Sequence, residues 1–172
     1  MFQIRQAKPQ DAMSMALVNV YTWRTTYSGL MPDELIQRRI LNIVPAAKRM
    51  RQQLEKEDHH FVALVEDGVV GFCMISPSRN EKYPKAGEIS ALYVLQGVQG
   101  LGIGKALFDA AVQELKRQGH TTMTINCLRG NPTLGFYQHM GGKIVGEIKE
   151  IHQGAELVED VLLYDWSMSG VV

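Results

Sequence analysis

Net charge is missing from this sequence: 18 Lys plus Arg are balanced by 18 Asp plus Glu. A sequence-independent nucleic-acid binder needs surplus cations to displace counterions, so that class is not expected. Lys48, Arg49 and Arg51 alternate with apolar residues and give way to Glu55, Glu57 and Asp58, the pattern of a solvated helix face. Cysteine is scarce too. Cys73 and Cys127 each sit inside an apolar run, and no CxxC pair offers zinc-ligand spacing. No apolar run approaches the ~20 residues of a membrane span. The opening Met-Phe-Gln-Ile-Arg-Gln lacks the basic-then-apolar order of a signal peptide. Repeats, low-complexity tracts and Ser/Gly linkers are absent as well. These absences predict a single soluble, cytoplasmic domain over residues 1–172. What is present is ordinary: 45% apolar and 21% charged residues, enough for one substantial core.

Strands and helices alternate without a regular βαβ rhythm. Phe2, Ile4 and Ala7 suggest a first strand, and Pro9-Gln10-Asp11 opens a helix towards Tyr27, with proline at the tolerated first turn. The segment Tyr27-Ser28-Gly29-Leu30-Met31-Pro32 breaks it; Asp33 to Leu41 and Pro45 to Glu57 read as further helices. His60 to Glu66 and Val69 to Ile75 flank Asp67-Gly68, a hairpin signal because Asp-Gly tolerates the positive φ of a tight turn. Ser76 to Lys85 reads as a loop and Glu88 to Leu95 as a strand. Ile103, Leu107, Phe108, Ala111, Val112 and Leu115 recur at helical spacing, with Gly119 as the stop. Thr121 to Leu128, Lys143 to Glu150 and Val158 to Trp166 complete the strands, with a short helix over Pro132 to Met140. The expected class is α+β: a mixed, mostly antiparallel sheet flanked by helices on both faces.

The central feature is the run from Leu92 to Leu107, in which a strand enters closely spaced glycines and passes directly into an amphipathic helix. Glycines let backbone N–H groups converge without a Cβ in the way, and a helix start adds unpaired donors and a positive dipole end. Such a concavity suits a phosphate or pyrophosphate. The GxxxxGK[ST] loop fails because Ala106 follows Gly104-Lys105 and residue 99 is Gln. GxGxxG fails because positions 105 and 107 are Lys and Leu.

What fits is Gln99-x-x-Gly102-x-Gly104 after Leu92-Tyr93-Val94, followed downstream by Asn131-Pro-Thr-Leu-Gly-Phe136-Tyr137-Gln-His-Met140-Gly141-Gly142. Together these segments resemble the GCN5-related N-acetyltransferase (GNAT) family, with its [RQ]xxGx[GA] turn and N-x-x-A-x-x-F-Y-x-x-x-G-F stretch. The order of elements fits over nearly the whole chain. Leu134 occupies the usual small position, with Gly135 beside it, and Gly142 replaces the usual Phe. The first departure should change how the short helix packs against the cofactor, the second loosen its corner.

The resemblance implies acetyl-CoA as co-substrate and acetyl transfer to a primary amine of a small molecule or peptide, by direct attack in a ternary complex. Backbone N–H groups of Gln99, Gly100, Leu101, Gly102, Ile103, Gly104 and Lys105 would hold the pyrophosphate. The edge of Leu92, Tyr93 and Val94 would pair with the pantetheine arm, and the Val94 N–H would stabilise the oxyanion. Asn131 would hydrogen-bond the arm. Tyr137 would protonate the departing thiolate, or else is a packed aromatic. Glu88 would accept the amine's proton directly or through water, or else is a solvated strand-end carboxylate. Tyr21, Trp23 and Tyr27 lie on the helix that borders the acceptor pocket in that family, with core packing as the alternative.

No metal is expected: Asp58, His59 and His60 lack a matching ligand pair, and His139 and His152 stand alone. The acceptor is left open among polyamines, antibiotic amines, amino acids and protein N-termini, and a homodimer is a family-level expectation. Two other functions remain to be separated: a catalytically silent CoA-binding regulatory module, and a nucleotide-binding protein using the same turn.

Overall fold

A computed structural model describes residues 1–57, 59–152 and 154–167. Strand β1 (Phe2–Gln6) leads through a 3-10 turn at Pro9–Asp11 into α1 (Ala12–Tyr27), α2 (Asp33–Leu41) and α3 (Ile43–Leu54). Strands β2 (Phe61–Val65), β3 (Gly68–Pro77) and β4 (Gly87–Val94) follow, then α4 (Ile103–Arg117), β5 (Thr122–Leu128), α5 (Leu134–His139), β6 (Lys143–His152) and β7 (Ala155–Asp165). The strands join one seven-stranded sheet in the order β1-β2-β3-β4-β5-β7-β6. Only β4 and β5 among the registered pairs run parallel. The expected α+β class with a mixed, mostly antiparallel sheet is what the chain forms.

Two compact units make up the chain: Met1–Ile75 with Ala91–Glu114, and Ser76–Ser90 with Leu115 onward. In the first, Met15 and Val18 of α1 and Leu54 of α3 share a core with Val62, Leu64, Phe72 and Met74 of the sheet. Its entrance is fixed by Asp11, whose carboxylate accepts two bonds from Arg5 at 2.7 and 2.9 Å and one from the Lys8 N–H at 2.7 Å. In the second, β5, β7 and β6 form antiparallel ladders, and Leu115 fills the space beside Gly87, where a Cβ would lie 2.5 Å from its Cδ2. Helix α4 closes as expected at Gly119, φ +89°: Gly119 N–H bonds Lys116 O and His120 N–H bonds Leu115 O, a left-handed cap that satisfies the last carbonyls.

Some boundaries shift. The hairpin forms, but its two-residue loop is Glu66-Asp67, because Val65 pairs with Gly68. The positive φ falls on Glu66 at +54°, and Gly68 serves as the first strand residue. Helix α3 starts two residues before Pro45, separated from α2 by Asn42 alone, since proline is tolerated in a first turn.

His60 is fully buried just before β2, and its Nδ1 accepts the Ile75 N–H at 3.2 Å. The ring proton therefore sits on Nε2, which donates to Glu57 Oε2 at 3.1 Å. Burial lowers the pKa of His60 below the ordinary 6.5, His59 adds to the lowering and Glu57 opposes it. An unfolded chain thus takes up the proton first. Stability from neutral His60 is complete above the ordinary value and is lost as pH falls towards the depressed folded one. Denaturant midpoints measured from pH 8 to 5 should fall on the acid side for the wild type, with a slope of up to about 1.4 kcal/mol per pH unit from this group. His60→Asn, less stable throughout, should show a shallower acid slope; an unchanged slope would assign the loss to other groups.

Candidate active site

Strand β4 is paired on one side only for most of its length. Its parallel ladder with β5 comprises Gly87↔Met123 and Glu88↔Thr124, so Leu92 to Val94 carry no ladder partner on that edge among the described residues. On the other side, β3 approaches so closely that a Cβ on Gly71 would lie 2.9 Å from Tyr93 O, 3.2 Å from Val94 Cγ2 and 3.3 Å from Leu107 Cδ1. Gly71 was not singled out from the sequence, although a glycine inside an apolar strand is the usual mark of a close backbone approach.

Beyond Val94, the chain makes a 3-10 turn at Gln96–Val98 and then the glycine turn. Gly100 and Gly102 adopt φ +77° and +85°, a conformation costly for any residue with a Cβ. Gly104 lies inside α4 instead and is not among the glycines with positive φ. The first bond of α4 runs from Ala106 N–H to Gly102 O at 3.0 Å, so the N–H groups of Ile103, Gly104 and Lys105 precede the helical ladder. Buried Ile103 and Leu107 anchor this end, while Leu101 is exposed. Gln99 differs from its expected part: its N–H bonds Gln96 O at 3.2 Å, and its side-chain amide donates to Val94 O at 3.0 Å. It braces the turn against the strand end. Lys105 is paired with Asp109 at 2.6 Å.

The second unit holds the remaining candidates. Glu88 is fully buried rather than a solvated strand end. Its Oε1 accepts Arg79 Nε and Nη2 at 3.1 and 2.5 Å, and its Oε2 accepts the Arg79 N–H at 2.8 Å. Among the described residues Oε2 accepts this one bond. Asn131 is buried, and its Oδ1 accepts the Thr133 N–H at 2.9 Å, which turns the chain towards α5 and leaves the Nδ2 group as a donor. Tyr137 is buried on α5, its ring 5.5 Å from that of Phe136. Its carbonyl accepts both the Gly142 N–H at 3.1 Å and the Tyr164 hydroxyl at 2.8 Å.

Gly142 does not loosen its corner. A Cβ there would lie 2.8 Å from Tyr164 Cζ and Oη, so the tyrosine from β7 fills the place of the missing side chain. Burial pushes the Tyr164 phenol well above its ordinary pKa, keeping it a donor. Sequence alone could not connect residues so far apart in the chain.

Glu57, His59 and His60 bring ligand atoms within 4.8 Å of one another, whereas Asp58 lies outside the described residues. With the Ile75 N–H on Nδ1 and a proton on Nε2, His60 has no lone pair left for a cation. Burial raises both thiols, Cys127 to about 11, and both cysteines are free and buried, in keeping with core packing.

A glycine turn opening a helix, set at the end of a strand with an open edge, is an arrangement suited to a phosphate-bearing ligand. The comparisons sharpen the class. The profile of the Acetyltransferase (GNAT) family matches residues 20–142. The uncharacterized N-acetyltransferase YuaI of Bacillus subtilis is 32% identical over 148 residues, 86% of this chain and 83% of the relative. In fold, the chain is similar to the PaiA N-acetyltransferase of Thermoplasma acidophilum in complex with coenzyme A: TM-score 0.79, 17% identity, 96% of this chain and 99% of that one. It is also similar to YncA of Salmonella typhimurium with acetyl-CoA: TM-score 0.64, 17% identity, 99% and 96% covered. The chain belongs to the GNAT family of acetyltransferases. It is an acyltransferase whose co-substrate is acetyl-CoA.

The two glycines of the motif should respond oppositely to alanine. Gly102→Ala meets no neighbour within 4 Å but forces a Cβ into left-handed backbone, and should cost about 1–2 kcal/mol. Gly104→Ala replaces a helical glycine and should add about 0.5–1 kcal/mol. Urea midpoints of the two variants decide this, and shifts of the same sign would refute the division of labour.

Proposed function

We propose that the protein transfers the acetyl group to a primary amine of a small molecule or peptide, by direct attack in a ternary complex. The observation that carries this reading is the glycine turn, with its left-handed Gly100 and Gly102 and the helix-start N–H groups of Ile103, Gly104 and Lys105. The CoA pyrophosphate binds this row of donors from Gly100 to Lys105. The pantetheine amides pair with the open edge of Leu92, Tyr93 and Val94, and the Asn131 amide donates to the same arm. The thioester carbonyl faces the Val94 N–H, which stabilises the oxyanion when the amine attacks. Both units act as one functional domain, a reading favoured by β3, β4 and α4 each running from one unit into the other.

Tyr137 is the acid that protonates the departing thiolate. Glu88 accepts the amine's proton through a water on Oε2, a route favoured by the Arg79 clamp on its other positions. No covalent intermediate is needed, since positioning two bound reactants supplies much of the rate.

Acetyl-CoA should raise the melting temperature and ATP with Mg²⁺ should not. A hundredfold excess over Kd is worth about 2.7 kcal/mol. Gly104→Val should abolish the shift by placing a branched side chain where the phosphate approaches. A flat melt of well-folded wild type with acetyl-CoA would remove the cradle assignment.

Release of free CoA thiol, followed from pH 6 to 9, separates the two catalytic groups. Tyr137→Phe should leave the acetyl-CoA shift intact and lower turnover by roughly 10²–10⁴ at every pH. Glu88→Gln should be most impaired at low pH, where the amine is protonated, and should recover as pH nears the acceptor's pKa. A pH-independent loss in Glu88→Gln would make Glu88 a positioning residue acting through Arg79.

A further inference from the structure

The first unit carries a cation with no ion pair among the described residues. The Arg39 guanidinium on α2 lies flat on Trp23 of α1, its carbon 3.5 Å from the ring centroid. One nitrogen donates to Asn19 Oδ1 at 3.1 Å, and Arg39 makes no ion pair among the described residues. Residues three and four before it are Ile36 and Leu35, and those three and four after are Asn42 and Ile43, so no carboxylate sits at the neighbouring helical spacing; Asp33 and Glu34 of α2 lie further off, in its first turn. Burial lowers its pKa, the Tyr93 and Tyr27 phenols oppose the lowering, and Arg49 adds to it. The charged groups acting on Arg39 therefore include another guanidinium and no acid.

This cation is tied to the acyl-bearing strand. Trp23 Nε1 donates to the Tyr93 hydroxyl at 3.2 Å, and Trp23 and Tyr27 meet edge to face with centroids 5.0 Å apart. Tyr93 precedes Val94, so the peptide bond that offers the oxyanion donor leaves the same residue whose side chain holds Trp23 under Arg39. A guanidinium held on a ring face and bonded through one nitrogen keeps further N–H donors, and its planar fork can take a carboxylate through two parallel bonds. Arg39 itself remains solvent-exposed and open to a ligand.

We propose that Arg39 is the specificity residue of the acceptor site and that the acceptor is an amine carrying a carboxylate. This rests on the acetyl-transfer reading above. A polyamine would bring further positive charge towards Arg39 and Arg49, whereas a carboxylate-bearing amine neutralises Arg39 while its amino end faces the thioester. The carboxylate can belong to a free amino acid or to an acidic peptide, and the choice of substrates distinguishes them.

The test uses matched amines: glycine, β-alanine and 4-aminobutyrate against methylamine, ethylamine and propylamine, with spermidine and an Asp-containing tripeptide as further arms, all read by thiol release. The carboxylate member should be preferred by roughly 10- to 100-fold in kcat/KM, the worth of a charge-assisted pair of hydrogen bonds. Arg39→Gln should erase that preference mainly through KM while leaving the acetyl-CoA melting shift unchanged. Arg39→Lys should restore only part of it, since an ammonium lacks the planar fork. Preference confined to the peptide arm would assign the carboxylate to a peptide. Because turnover itself is part of the earlier reading, a second readout needs none: titration of the CoA-loaded protein with N-acetylglycine and N-acetyl-4-aminobutyrate against N-methylacetamide. Arg39-dependent binding without turnover of any amine would uphold the carboxylate site and overturn acetyl transfer. Turnover of the amines with no carboxylate preference, or a preference that survives in Arg39→Gln, would overturn the Arg39 assignment and leave acetyl transfer standing.

Discussion

At residue 71 there is no room for a side chain, and the placement of β4 and of the start of α4 depends on that. The missing Cβ lets β3 lie against the Tyr93 carbonyl, and the same gap admits Val94 and Leu107. Strand β4 is thereby held from one side, by β3, and from the end, by Leu95 N–H on Val70 O at 2.9 Å and by the Gln99 amide on Val94 O. Its other edge is spared pairing past Glu88. A strand edge in water would ordinarily be a liability for aggregation. In the binding mode proposed above, a half-paired strand would receive a chain of amides with its backbone donors already fixed in place, so no ordering cost would fall on them at binding.

The second unit solves a different problem with the opposite device. Where Gly71 makes space for backbone, Gly142 makes space for Tyr164, which fills it and bonds the Tyr137 carbonyl. That carbonyl lies near the end of a six-residue helix, too short to be stable on its own hydrogen bonds. Two donors from outside the helix, Gly142 N–H and Tyr164 Oη, converge on it. The end of α5 is thus held by β7 as well as by its own hydrogen bonds.

Local patterns were legible in the sequence, and pairings between distant residues were not. The order of strands and helices follows from hydrophobic period and turn residues, and the glycine turn was visible because strand, glycines and helix are contiguous. Within it, only the backbone geometry separates Gly100 and Gly102, which need positive φ, from Gly104, which is helical. The hairpin was legible but its turn lay one residue early, because the register of Val65 with Gly68 decides the loop and Asp-Gly does not. Glu88 looked like a strand-end acid. Its clamp by Arg79, nine residues away across a loop, carries no sequence signature, and neither does the stacking of Arg39 on Trp23.

Those two arginines show how charge is distributed in a chain whose net charge is zero. Arg79 meets the buried Glu88 carboxylate with both its side chain and its own N–H, pairing a group that would be costly to bury alone. Arg129 is likewise shared between Asp160 and Glu147. Arg5 is matched by Asp11. Arg39 is held differently, by an aromatic face and one amide oxygen. Stacking compensates a cation by a fraction of what a carboxylate provides, about 0.5–2 kcal/mol, and leaves the charge itself unneutralised. Under the proposal above, an anion that arrives with the acceptor would pair with Arg39 only when the acceptor is bound, which is where binding energy serves specificity.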